Sequence, residues 1–121
     1  MDEETARSIE DELRRARQAI EKGNPGMARV CSRRAAGEAI AALEHARQEL
    51  HSQMNAMVRL DRLATDDSVP AGIREAAARL RSKLTSEGVR PDSDDPVADA
   101  ECIIRHMEGQ IALTQCGNCK K

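Results

Sequence analysis

The sequence predicts an all-α protein, an antiparallel bundle of four principal helices with one short extra helix. Three observations predict it. The chain contains no Phe, Tyr or Trp. Its core therefore has to be assembled from Leu, Ile, Val, Met and many Ala, which let helices approach closely, whereas sheets favour β-branched and aromatic residues. Apolar residues recur in steps of three and four along most of the chain, and no stretch alternates with period two. Finally, Asn24-Pro25 and Asp95-Pro96 each pair a capping side chain with a proline suited to the first helical position.

The first helix is expected from about Glu3 to Lys22, with Ala6, Ile9, Leu13, Ala16 and Ile20 forming one narrow stripe and Gly23 ending it. The second starts behind the Asn24 cap and extends toward Leu50, ~39 Å at 1.5 Å per residue. Met27, Cys31, Ala35, Ala39, Ala42, Ala46 and Leu50 run along one line of it, flanked by Val30, Ala36, Ile40 and Leu43. So wide an apolar face marks a central helix with neighbours on two sides. Gly37, in its middle, costs ~1 kcal/mol against Ala, which predicts a close helix crossing there.

The register shifts at His51-Ser52-Gln53, where Ser52 suits the cap of a third, shorter helix using Met54, Met57 or Val58, Leu60 and Leu63. Helices two and three are either separate or one kinked rod. Asp66-Asp67-Ser68-Val69-Pro70 reads as a turn, with Pro70 opening a helix whose stripe is Ile73, Ala77, Leu80 and Leu84 and whose stop is Gly88. A polar loop through Arg90-Pro91-Asp92-Ser93-Asp94 leads into the last helix, which carries Val97, Ala100, Ile104, Met107 and Ile111. The periodicity ends after Leu113. Residues 1–113 are thus expected as a single helical-bundle domain, and 114–121 as a tail.

A chain of 121 residues suits one domain. The net charge of −2, with both signs interspersed, supplies no global field for nucleic acid or membrane. Without aromatic rings, recognition of single strands by base stacking is excluded. No apolar run approaches the ~20 residues that span a bilayer. The acidic start Met1-Asp2-Glu3-Glu4 lacks the apolar region of a signal peptide. The four cysteines do not have the spacing of a secreted disulfide scaffold. A cytoplasmic location is expected.

Cys116-Gly117-Asn118-Cys119 is the one compact chemical motif. Two thiols separated by two residues can bite one metal ion, zinc foremost, or form a redox pair. A structural zinc site needs four ligands, so Cys31, Cys102, a histidine or a second copy would have to complete it; otherwise the motif is a tail with two incidental thiols. Cys31 and Cys102 lie on or beside apolar stripes and are expected in the core as small hydrophobes. His45, His51 and His106 have no metal-ligand spacing and are expected in solvated or capping roles. Arg29, Arg33 and Arg34 would make a nucleic-acid-facing patch with Arg14 or Arg17, unless Glu10, Glu21 and Glu38 neutralise it across the helix surface.

The line from Glu21-Lys22-Gly23-Asn24-Pro25-Gly26-Met27-Ala28-Arg29-Val30 through Ser32-Arg33-Arg34-Ala35-Ala36-Gly37-Glu38-Ala39-Ile40 resembles the passage from helix one to helix two of HEPN-like domains. Members of that superfamily often read Gly-Asn, then Ala, then a small-residue helix with Ala-Ala and an acidic residue. The stretch from Val89-Arg90-Pro91-Asp92 into Ala98, Ala100 and Ile104 resembles the loop and last helix of the same group, and the likeness spans Ala6 to Glu108. It implies four main helices commonly paired into a homodimer, with links to RNA cleavage, toxin–antitoxin systems or nucleotide binding.

The nuclease members carry an Arg and a His with four to six residues between them on the last helix. Here the matching window before His106 holds Asp99, Ala100 and Glu101. Before His45 it holds Glu38, Ala39 and Ile40, and before His51 it holds Glu44, His45 and Ala46. None is Arg, so no catalytic residue carries over. The expected function is that of a non-catalytic, homodimeric interaction or regulatory module, its second copy meeting the wide face of the second helix. The alternatives are a nucleic-acid-associated toxin–antitoxin-type protein with a degenerate site, and a metal- or redox-responsive protein using Cys116 and Cys119.

Overall fold

Short Asp and Asn side chains begin four of the helices in the same way. Asp2 accepts a hydrogen bond from the Thr5 amide at 2.8 Å, Asn24 from Met27 at 3.1 Å, Asn55 from Val58 at 2.9 Å and Asp95 from Ala98 at 3.1 Å. Each satisfies one of the amides that a helix start leaves without an intrahelical partner. A computed structural model describes residues 2–49, 55–81 and 95–115. Those residues form α1 (Glu3–Glu21), α2 (Pro25–Ala46), α3 (Ala56–Ala64), α4 (Ala71–Arg81) and α5 (Pro96–Gln115), with no strand among the described residues. None of these helices is long and apolar enough to cross a membrane.

α1, α2 and α5 are long and α3 is short, while α4, the expected fourth principal helix, is described over 11 residues up to Arg81. Leu84 and Gly88, the predicted end of its stripe and its stop, lie outside the described residues, as does the loop at 90–94. α2 and α3 are separate helices. α2 stops at Ala46, one turn short of the predicted Leu50, because Gln48 turns left-handed at φ 61°. There the Glu49 amide reaches back to the Glu44 carbonyl at 2.8 Å and the Gln48 amide to that of His45 at 3.0 Å. The same pair of bonds closes α1, where glycine supplies the left-handed residue: Gly23 has φ 75°, and Asn24 bonds to Ala19 and Gly23 to Ile20. The cap of α3 is Asn55 rather than Ser52, which lies outside the described residues.

α2 is the central element, packed on α1 and α5 and, over shorter stretches, on α3 and α4. Its Ala28, Ala35, Ala36 and Ala39 have no exposed surface. The core they share is filled by Ile9, Leu13 and Ala16 of α1, Leu60 and Leu63 of α3, Ala76, Ala77 and Leu80 of α4, and Val97, Ile103, Ile104, Met107 and Ile111 of α5. Gly37 is where α2 meets α3. A Cβ built on it would stand 2.8 Å from the Ala56 Cβ, so only glycine admits this crossing.

Three sequence expectations need correcting. The α1 stripe buries Ala19 and leaves Ile20 47 % exposed. Cys102 faces solvent, whereas Cys31 is buried as expected. The wide alanine face of α2, expected to meet a second copy, is covered within the chain, while Met27 and Val30 at its amino-terminal end stay 48 % and 37 % exposed.

Candidate functional site

The segment after α2 bends away at Gln48, and α3, the Thr65–Pro70 turn and the second half of α5 come up against it. Between them lies a cleft of about 460 Å3. Its floor is apolar, from Ile40 and Leu43 of α2, Leu63 of α3, Val69 of the turn and Met107 of α5, and its walls are charged. Size, an apolar floor and a few polar groups are the usual properties of a small-molecule site.

Most of the wall charges already have partners. Arg59 holds Glu44 at 3.1 Å through both Nε and Nη2, with each side chain largely buried, tying α3 to α2. Asp66 accepts hydrogen bonds from the Ser68 amide at 3.0 Å and from its hydroxyl at 2.6 Å. These two bonds fix the turn and hold the Asp66 carboxyl below its usual range. Arg62 and Glu49 are also engaged. Arg47 differs: among the described residues its guanidinium donates to a neutral amide, Gln110 Oε1, at 3.3 Å. Beside it, the half-buried His106 is pushed below its ordinary pKa by burial first and the Arg47 charge second. At neutral pH that ring is uncharged, and the local field it feels is positive.

A second, shallower groove of about 770 Å3 lies between the start of α1, the end of α2 and Ile111 of α5. Ala41, Ala42 and Ala46 form its base, Asp2, Glu4 and Glu38 its acidic lip, and the exposed His45 stands at its edge. Ser8 donates to Glu38 across it at 3.1 Å.

The three arginines singled out from sequence do not share one open surface. Arg29 is 3 % exposed, and its Nη1 donates to the carbonyls of Arg79 at 2.9 Å and Leu80 at 3.2 Å. Arg33 is half-buried and donates from Nε to the Leu80 carbonyl at 2.8 Å. Only Arg34 of the three is exposed. The first two donate to backbone carbonyls in the last described turn of α4. Next to them Arg79 reaches the nearly buried Asp99 of α5 through Nη2 at 2.9 Å and Nε at 3.2 Å.

Cys116 and Cys119 lie outside the described residues, as does His51. Of the thiols and imidazoles proposed to complete a zinc site with them, Cys31 is buried beside Glu12 of α1. Burial and that carboxylate raise its pKa, so it stays a protonated, apolar side chain. Among the described residues no three His, Cys, Asp or Glu side chains are grouped as a metal site would require.

Sequence reasoning did not find the cleft. Arg47, Gln110 and His106 belong to helices far apart in the chain, and only the early stop of α2 brings them together. The signal was Gln48-Glu49 following a run of helical periodicity, too weak to read as a helix end without a glycine. No family model, no curated protein and no solved structure matches this chain.

Proposed function

We propose that this chain is a HEPN-like antiparallel bundle lacking the nuclease Arg–His pair, and that it works in the cytoplasm as a homodimeric interaction or regulatory module. The observation that carries the reading is the set of large apolar side chains left open around the α1–α2 turn: Ile20, Met27 and Val30, at 47 %, 48 % and 37 % exposure. They stand at one end of the helix whose remaining apolar face is covered. Exposed apolar residues gathered in one place are a usual mark of an association surface. A second copy is the occupant proposed, because the rim of this patch carries both signs in Glu21 and Lys22. A rim of both signs lets the patch meet itself across a two-fold axis with opposite charges paired.

Sedimentation velocity across a range of concentrations tests it. The wild-type chain is expected to dimerise, and Met27→Glu with Val30→Glu to give a monomer of unchanged helix content. A wild-type monomer at high micromolar concentration removes the homodimer from the reading.

A further inference from the structure

The cleft beside α3 goes beyond that reading, since it lies away from the α1–α2 turn and has its own chemistry. Its floor offers side chains from four separate elements but no polar group that a sugar or a peptide backbone would need. Its walls discriminate by charge. Arg59 is taken by Glu44, and Arg62 is engaged as well. Arg47, whose bond among the described residues is to the Gln110 amide, therefore brings one cation to the cleft that a ligand can claim. Glu49 and Asp66 stand on the same walls. Their carboxylates repel any anion, and a doubly charged phosphate ester about twice as strongly as a single carboxylate. The uncharged His106 ring adds a neutral donor or acceptor next to Arg47.

The geometry points to this cleft as a binding site for a small amphipathic carboxylate. Its head group rests on Arg47 with Gln110 and His106 beside it, and its hydrocarbon chain lies along Leu43, Leu63, Val69 and Met107. A carboxylate replaces the long, neutral Arg47–Gln110 bond with a charge-assisted one, the stronger kind. The hydrocarbon chain lies chiefly against Val69, the most open of these four, since Leu43, Leu63 and Met107 are already buried. The volume of about 460 Å3 is at the lower end of small-molecule sites and suits a short chain rather than a full-length fatty acid.

Octanoate is the probe, titrated by calorimetry and by NMR of the histidine ring protons, with octylamine and inorganic phosphate as comparisons. Saturable octanoate binding with a dissociation constant on the order of 1 mM or tighter is expected. Arg47→Gln, at an exposed side chain, should weaken it by about 10-fold or more while leaving helix content unchanged. In the wild type, octanoate should also raise the titration midpoint of His106, because an anion beside the ring favours the imidazolium. That readout needs no arginine variant, and His106→Gln assigns its signal. The proposal is overturned by an absence of saturable binding, by equal binding to Arg47→Gln, by octylamine or phosphate binding as well as octanoate, or by a His106 midpoint that octanoate leaves in place.

Discussion

α3 and α4 are both joined to the central helix, but by opposite means. α3 meets α2 through backbone proximity: Gly37 faces Ala56 with no room for a methyl group between them, and Leu60 and Leu63 fill the space beyond. α4 reaches α2 chiefly through long polar side chains, with Arg29 and Arg33 bonding to the carbonyls of Arg79 and Leu80. The first joint gains from excluding atoms, the second from satisfying them. A chain without aromatic residues has few side chains able to fill a wide gap between helices. Here the narrow gap is closed by having almost no side chain, and the wide one by the longest side chain available. Arg29 buries its methylene stem and presents its head to two backbone carbonyls of α4, which accept its hydrogen bonds.

The polar joint should break harder. Arg29→Met keeps the apolar stem and removes the guanidinium, taking one donor from each of the Arg79 and Leu80 carbonyls, of which Leu80 keeps its bond from Arg33. A loss of about 3 kcal/mol is expected from charged hydrogen bonds of this kind. Arg33→Met, half-exposed and bonded to one of the same carbonyls, should lose about 1 kcal/mol. Urea denaturation of the two variants measures both, and equal losses would mean that Arg29 is not the main support of α4.

The dry joint is probed by Gly37→Ala. On an exposed helix this change gains ~1 kcal/mol of helix propensity. Here the new methyl would stand 2.8 Å from the Ala56 Cβ and 3.1 Å from its Cα. Overpacking costs ~1–3 kcal/mol, so a net destabilisation of up to about 2 kcal/mol is expected once the gain is subtracted. Ala56→Gly, combined with Gly37→Ala, should restore part of it. A Gly37→Ala variant as stable as the wild type in the same urea measurement would show that α3 moves aside at little cost.

How much of this was legible in the sequence follows the same division. The caps at Asn24 and Asp95, the central place of α2 and the crossing at Gly37 are encoded locally: a small polar residue before a proline, or a glycine within an alanine run, has few other reasons to be there. The arginines were not legible. In a stretch rich in both charges, Arg29 and Arg33 look like any solvated pair, and only α4, some fifty residues further along, shows that they point inward. The phase of α1 was misread by one residue at its end. Ile20 continues the stripe by spacing, but the turn at Gly23 directs Ala19 to the core. The cleft was hidden for a related reason: its walls come from four elements, and the turn that opens it has glutamine where sequence reading looks for glycine.

That glutamine gives the third prediction. An L-residue at φ 61° carries a steric penalty that glycine does not. Gln48→Gly should therefore stabilise the chain by about 0.5–1 kcal/mol. Gly23 already occupies the matching place after α1, so Gly23→Ala should move stability the other way. If Gln48→Gly is instead destabilising in urea, the Gln48 side chain contributes more to the folded state than its backbone costs.

The smallest effect is a pH dependence confined to the α3 side of the molecule. His106 has its pKa depressed below the ordinary 6.5, by burial and then by Arg47. Between the folded value and 6.5 the unfolded chain binds a proton that the folded chain does not, so stability rises with pH across that window. The contribution is fully present above 6.5 and is lost as the pH falls through the folded value. Asp2 and Asp66, whose carboxyls are held low by their hydrogen bonds to Thr5 and Ser68, lose their contributions only below their ordinary 3.8. The two windows do not overlap. Urea midpoints taken at about pH 7.5 and about pH 5 should therefore isolate the histidine. The wild type is expected to weaken on acidification across this range, and His106→Gln, which cannot charge, to weaken less. Adding Arg47→Gln to the wild type should shrink the acid sensitivity without abolishing it, because burial, the larger cause, remains. An acid sensitivity that Arg47→Gln leaves unchanged would place the Arg47 guanidinium too far from His106 to share a bound anion with it.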